Sequence, residues 1–278
     1  MNITFSVFPK FYKHLSVDEL ASFIREVGLD TTNLVIRDGF WVRPDSLAED
    51  VPKFVKAMEL AGLDVRFATA GFSAEKIIHD EESLKILADN GIPEFRMGYF
   101  RGGDKPPAEL LAEARAQMCQ VACVCERVGI RAVYQVHHGT HIVGPTGAYH
   151  LLKGLPSEYV GVMLDPGNQA FEGFEKWSRA SALLGEQLTA IGVKDAAWVR
   201  NAAEAAEPHK GWKLQWATLD EGLTNWYELV RSLKSNFFNG TFVFMPFYDE
   251  DDPDEMTRKL KGEVEYLRKV VADVESEQ

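Results

Sequence analysis

Residues 106–140, PPAELLAEARAQMCQVACVCERVGIRAVYQVHHGT, hold one complete structural unit. Up to Val128 the stretch is amphipathic and helical, and Gly129 is the residue type that usually stops a helix at its C-terminal end. Beyond it, Ala132–His137 is a short β-type run that ends in polar groups, among them Gln135 and His137. The same order repeats along the chain. A glycine precedes a strand candidate again in VGLD and AGLDV, and the candidates are Ile3–Val7, Asn33–Arg37, Val65–Ala70, Phe95–Tyr99, Ala132–His137, Val160–Leu164, Thr189–Val193 and Thr241–Met245. Helical stretches such as SVDELASFIREVG and DSLAEDVPKFVKAMELAG separate them. Ser16 followed by Glu19 reads as a capping box, and Asp45 and Asp80 are suited to cap their own helices.

Eight strands alternating with about eight helices in 278 residues fit an α/β fold of the (β/α)8 TIM-barrel type, a single domain over residues 1–278. The structural rival is a doubly wound open sheet, which usually carries a Gly-rich phosphate turn after its first strand. Here that strand runs into VFPKFYK, without a glycine. The tail EDDPDEMTRKLKGEVEYLRKVVADVESEQ reads as a final helix with a charged outer face.

The balance of charge narrows the partners. The chain has 30 Lys plus Arg against 42 Asp plus Glu, a net charge of −12, which works against a general phosphate-backbone binder while leaving room for local basic patches. Hydrophobic residues at 46% and charged residues at 26% are ordinary for a globular protein. Cys119, Cys123 and Cys125 lie in one helical segment, with Cys119 and Cys123 a turn apart on what should be an apolar face. Three reduced, buried thiols suit a cytoplasmic protein. Neither a signal-peptide pattern nor a membrane-length apolar run is visible.

In such barrels the active site is built at the C-terminal ends of the strands. Strand two ends in Arg37-Asp38 before Gly39-Phe40-Trp41, strand four leads to Arg101, strand five ends YQVHHGTH, strand six LDPGNQ and strand seven VKDAAW. Ionisable groups gather at these ends, which favours an enzyme over a binding scaffold.

GVMLDPGN followed by FEG, IGVKDAAW and LDEGLTNWYELVRSLKSNFFNGTFVF resemble the xylose isomerase-like TIM barrels, and YQVHHGT is similar to the fifth-strand motif of their dehydratase and sugar phosphate isomerase/epimerase branch. The resemblance covers nearly the whole chain. It implies a carbohydrate isomerase, epimerase, inosose-dehydratase-like lyase or, more distantly, an endonuclease IV-type enzyme. It also implies a divalent metal, Mn²⁺, Mg²⁺ or Co²⁺, held by Glu, Asp, His and Glu on strands five to eight. Those positions align with Gln135, Asp165, Gly192 and Met245. One carboxylate of three is left, too little negative charge for a hard dication. The expectation is therefore no ordinary four-ligand site and no assured cofactor. The alternatives are an atypical site built from Gln135, His137 or a neighbouring histidine, and Asp165, or a register error at strand eight, where Asp249, Glu250 and Asp251 follow.

The residue-level assignments follow from strand alternation. His137, sharing a face with Gln135, is the expected base, since its unperturbed pKa of ~6.5 suits proton transfer near neutrality. His138 should then point outward or into the loop. Asp165 either faces the barrel mouth or caps the Pro166-Gly167 turn. Lys194 either stabilises an enediolate or pairs with Asp165 or Asp195. If Asp165 and Lys194 share a cavity, mutual attraction should lower the carboxylate pKa and raise that of the lysine. Arg37 and Arg101 are candidate carboxylate or phosphate anchors, and Trp41 and Trp198 candidate sugar-stacking rings. Gln135, His138, Asn168 and Asp195 complete the expected binding set. Trp212, Trp216 and Trp226 are placed to close over the mouth or to bury a subunit contact.

Function thus divides three ways. The leading reading is a sugar isomerase, epimerase or lyase, with His137, Asp165 and Lys194 moving protons and stabilising charge on a small carbohydrate, with no nucleic-acid or membrane partner and room for a homo-oligomer. The second is a metal-depleted sugar-binding descendant without catalysis. The third, a DNA-repair nuclease, needs a metal cluster and a basic face that the composition does not supply.

Overall fold

The computed structural model describes residues 1–277 apart from 204–206, 208–209 and 249–251. The barrel closes at Asn33. Strand two is split there into β2 (Thr31–Thr32), which pairs with β1 (Asn2–Val7), and β3 (Leu34–Val35), which pairs with β4 (Phe67–Thr69). Asn33 is fully buried; its Oδ1 accepts from Ser6 Oγ at 2.7 Å and its Nδ2 donates to Thr69 Oγ1 at 3.3 Å, so side chains complete the seam that the backbone leaves open. The circuit continues in parallel through β5 (Glu94–Arg96), β6 (Arg131–Gln135), β7 (Val160–Leu164), β8 (Leu188–Val193) and, after an excursion, β11 (Asn239–Phe244), which returns to β1. The architecture is the expected (β/α)8 barrel, with several strands shorter than their apolar runs.

The excursion is an antiparallel ribbon, β9 (Asp195–Arg200) with β10 (Trp212–Ala217), set directly after β8. Its Trp198, Val199 and Trp212 are exposed.

Helices cover the outside: α1 (Val17–Glu26), α2 (Leu47–Leu60), α3 (Ala74–His79), α4 (Glu81–Asp89), α5 (Pro107–Val128), α6 (Pro145–Leu152), α7 (Pro166–Glu172), α8 (Trp177–Leu184), α9 (Trp226–Ser235) and α10 (Pro253–Ser276). The capping box of α1 is present in full, with Ser16 and Glu19 each accepting from the other's backbone N–H. Asp80 caps α4 through Ser83. Asp45 does not cap α2, whose N-cap position falls on Ser46, and the Ser46 hydroxyl donates to Asp50 instead of capping. Of the cysteines only Cys125 is buried; Cys123 is exposed and Cys119 lies between, because the core face of α5 passes through Met118, Val121, Ala122 and Cys125.

Alternation along the strands divides the core into two bodies. Phe5, Val7, Leu34, Tyr134, Val162 and Phe242 pack outward against the helices. Phe8, Val35, Phe67, Val133, Met163, Ala190, Val243 and Met245 fill the barrel, with Phe40 and Phe247 packed on them. This plug is the floor under everything at the C-terminal mouth.

Candidate active site

A cavity of about 350 Å³ opens above the plug, lined by Phe8, Lys10, Arg37, Thr69, Arg96, Tyr99, Arg101, Gln135, His137, Lys194, Met245 and Phe247. Each strand delivers its contribution just as it ends: Arg96 is the last residue of β5, Gln135 the last of β6, and Lys194 follows β8. Depth sorts the polar groups. Arg96, Gln135 and Lys194 are buried at the floor, Lys10 and His137 are half-buried in the wall, and Arg37 and Arg101 are exposed at the rim.

The floor is one connected network. Gln135 Oε1 accepts from Tyr99 Oη at 2.7 Å and from Arg96 Nη1 at 3.4 Å, which turns its amide nitrogen toward Asp165 Oδ2 at 2.5 Å. Asp165 is fully buried and sits beneath the lining. Its Oδ1 caps α7 by accepting from the Asn168 N–H at 2.9 Å, and its Oδ2 stands 3.5 Å from Lys194 Nζ. Of the two readings offered for Asp165, the cap holds for Oδ1, while Oδ2 does not face the open mouth but meets Gln135 and Lys194 beneath it. Asn168 Nδ2 donates to the Val136 carbonyl, leaving Oδ1 to accept from Lys194 Nζ at 2.8 Å and His138 Nδ1 at 3.1 Å.

Burial reverses the expected titration of this pair. Desolvation pushes the Asp165 carboxyl up and outweighs the pull of Lys194, and the same loss of water pushes Lys194 down despite Asp165. His137 is also displaced from its ordinary value, to about 4, first by burial and then by the like charges of Lys194 and Arg101, against the raising effect of its bond to the His138 carbonyl. Its tautomer follows from geometry. Nδ1 lies 2.7 Å from the His138 carbonyl oxygen, which can only accept, so Nδ1 carries the proton and Nε2 keeps its lone pair. The 3.2 Å approach of Arg101 Nη2 to the same Nδ1 is then a contact between donors.

Not every expected residue reaches the cavity. Trp41 donates its Nε1–H to the Leu15 carbonyl at 2.8 Å and packs on Phe54, pinning the loop after β3 to the outer shell. Trp198 lies on the outer ribbon, half-exposed. Asp195 faces away, accepting from Ala196 N, Leu223 N, Thr224 N and Oγ1, and Trp226 Nε1. His138 does not turn outward; it stacks between His137 and Phe171 at 4.4 and 4.1 Å and holds Asn168. Among the tryptophans of the ribbon and the stretch after it, Trp216 alone closes over the floor, its ring 4.4 Å from Lys194 Nζ; Trp212 is exposed and Trp226 is core.

Lys10, Arg96, Tyr99 and Phe247 belong to the site without having been singled out. Arg96 carried a signal, a guanidinium in the middle of the apolar run EFRMGY, and Lys10 another, a cation just past the end of the first strand.

A model of the xylose isomerase-like TIM barrel matches residues 21–270. The chain belongs to that family. Solved structures share its fold at low identity. A family protein from Mycobacterium smegmatis, in complex with magnesium, is 17% identical with a TM-score of 0.70, covering 98% of this chain and 97% of its own. D-psicose 3-epimerase from Clostridium cellulolyticum, solved with D-tagatose, is 13% identical with a TM-score of 0.72 over 96% and 99%. The 3-keto-D-glucoside 4-epimerase of E. coli is 15% identical with a TM-score of 0.68 over 97% and 99%. No curated protein matches the chain significantly.

The four positions aligned with the family's metal ligands do converge in space. Gln135 Nε2 is 3.6 Å from Met245 Sδ, and a Cβ added to Gly192 would stand 3.0 Å from Asp165 Oδ2 and 3.3 Å from Met245 Cε. The chemistry there does not fit a hard dication. The amide presents hydrogens to the carboxylate, the thioether is a soft donor and Gly192 brings no donor. Among the described residues no group of three or more His, Cys, Asp and Glu is arranged to hold a metal; Asp249, Glu250 and Asp251 lie outside them. Among the described residues no helix is long and apolar enough to cross a membrane.

Proposed function

We propose that this chain is a sugar isomerase, epimerase or lyase that removes a proton beside a carbonyl and stabilises the resulting enediolate with its own cations in place of a metal. The observation that carries this reading is the placement of His137 and Lys194 on one cavity, directly above the converged Gln135, Asp165, Gly192 and Met245. A base needs an unprotonated nitrogen, and the bond to the His138 carbonyl leaves Nε2 in that state. A developing enediolate needs fixed positive charge where water is scarce, and Lys194 is held there by Asn168 while Arg96 is fixed on Gln135. Asp165, below the surface, acts through others: it orients Gln135 and balances Lys194. The epimerase activities of two structural neighbours support the class. The partner is a small carbohydrate, and the compartment that suits three free thiols is the cytoplasm.

The test is a panel of keto sugars and inososes incubated in D2O with a chelator and followed by NMR. Deuterium should enter at the carbon beside the carbonyl, and His137→Ala should slow that exchange by about 10²–10⁴-fold. The acid limb of kcat/KM should fall near pH 4, where His137 is placed, rather than near its ordinary value. Exchange unchanged in His137→Ala would pass the base role to Lys194.

A further inference from the structure

The wall of the cavity is charged in the sense opposite to the rest of the molecule. The chain carries a net −12, yet Lys10, Arg37, Arg96, Arg101 and Lys194 line this cavity and no Asp or Glu does. Among the described residues Lys194 alone of these has a carboxylate within ion-pair distance, the buried Asp165.

Aromatic faces, which attract a cation without neutralising it, do the holding. Arg96 and Arg101 both lie against Tyr99, at 5.0 and 4.6 Å from the ring centroid. Lys10 and Lys194 both lie against Phe247, at 5.0 and 4.9 Å. Arg37 rests on Phe40 at 5.8 Å. Two rings thus hold two pairs of like charges within one small cavity. Such crowding costs electrostatic energy in the empty protein, and an anion entering the cavity relieves it.

Resting on the isomerase or lyase reading, we propose that the substrate is an acid, a small polyhydroxylated or keto compound whose carboxylate is bound by this ring of cations. A neutral sugar would leave the ring uncompensated. A phosphate is the less suitable anion, because phosphate sites are typically cradled by backbone N–H groups at glycine turns or helix N-termini. This lining contains no glycine, and its three guanidiniums and two ammoniums are all side-chain donors; the guanidinium fork suits a carboxylate as well as a phosphate, so it is the lack of a backbone cradle that favours the carboxylate. The arrangement also divides the labour by depth. Exposed Arg37 and Arg101 draw the anion in, and buried Arg96 and Lys194 hold it over the floor.

The experiment is calorimetric titration of the full chain at low salt with D-glucuronate, D-glucose and D-glucose 6-phosphate, repeated with Arg37→Gln and Arg101→Gln, both exposed positions that tolerate the change without loss of fold. The uronate should bind at least about tenfold more tightly than glucose, and each rim substitution should weaken the uronate about 3- to 10-fold and by a larger factor than it weakens glucose. Raising the ionic strength should weaken the acid and not the neutral sugar. Equal affinity for glucuronate and glucose would overturn the proposal, and so would a preference for the phosphate ester over the uronate. Tight binding of acids without exchange of any substrate in D2O would uphold it and sink the isomerase reading instead. Exchange of neutral sugars with no acid binding would do the reverse.

Discussion

Asp165 and Asp195 stand at the ends of neighbouring strands, both with 0% exposure and both with carboxyls pushed up by burial. Their partners separate them. Asp195 is surrounded by donors that carry no charge: three backbone N–H groups, the Thr224 hydroxyl and the Trp226 indole. It pins residues 218–224 to the barrel, together with Glu263, which accepts from the Leu219 N–H at 3.1 Å and from the Tyr248 hydroxyl at 2.6 Å. Gly222 packs so closely on Asp195 that a Cβ there would stand 2.1 Å from its Cγ. Asp165 instead shares its carboxylate between a helix cap, an amide and an ammonium that lines the cavity. On the proposed reading one buried carboxylate is architecture and the other supports the chemistry of the cavity, and what tells them apart is whether a partner is itself charged and open to the cavity.

The comparison breaks first on stability. Asp195→Ala leaves five donors without an acceptor and should cost about 3–5 kcal/mol in urea unfolding, with turnover per folded molecule within about twofold of the parent. Loss of turnover at full stability would instead place Asp195 in the site. Asp165→Asn strips the buried Lys194 of its counter-ion and should also cost about 3–5 kcal/mol, less whatever deprotonation of Lys194 recovers, but unlike Asp195→Ala it should lower turnover per folded molecule about 10- to 100-fold. The architectural side is sharpened through pH. Burial raises Glu263 to about 8, well above its unfolded value of about 4.3, so the folded protein holds the extra proton between the two. Stability should therefore fall as pH rises across that window, and Glu263→Gln should flatten the slope. A slope unaffected by the substitution would assign it to other groups.

Much of this was legible beforehand. The barrel could be read from glycine-stopped helices alternating with short apolar runs, because period and punctuation are local properties of the chain. His137, Gln135, Lys194, Arg37 and Arg101 could be read from their positions at strand ends. Asp195 could not be told from Asp165, since each follows an apolar strand and only long-range donors distinguish them. Trp41 and Trp198 misled for the same reason: a ring beside a strand end does not say which wall it meets. WKLQWA alternates apolar and polar residues as a strand does, but its partner DAAWVR does not, so the pairing of β9 with β10 could not be read locally. Titration was least legible of all. Attraction between Asp165 and Lys194 can be expected from sequence, but the loss of water that overrides it depends on depth.

Whether protein cations stand in this family member where a dication would otherwise sit can be read from titration of chelator-stripped protein with Mn²⁺, followed by electron paramagnetic resonance beside the exchange assay. No Mn²⁺ should bind more tightly than about 1 mM, and exchange should be indifferent to the metal. Stoichiometric Mn²⁺ bound at micromolar concentration, restoring exchange and lost in Asp165→Asn, would contradict this.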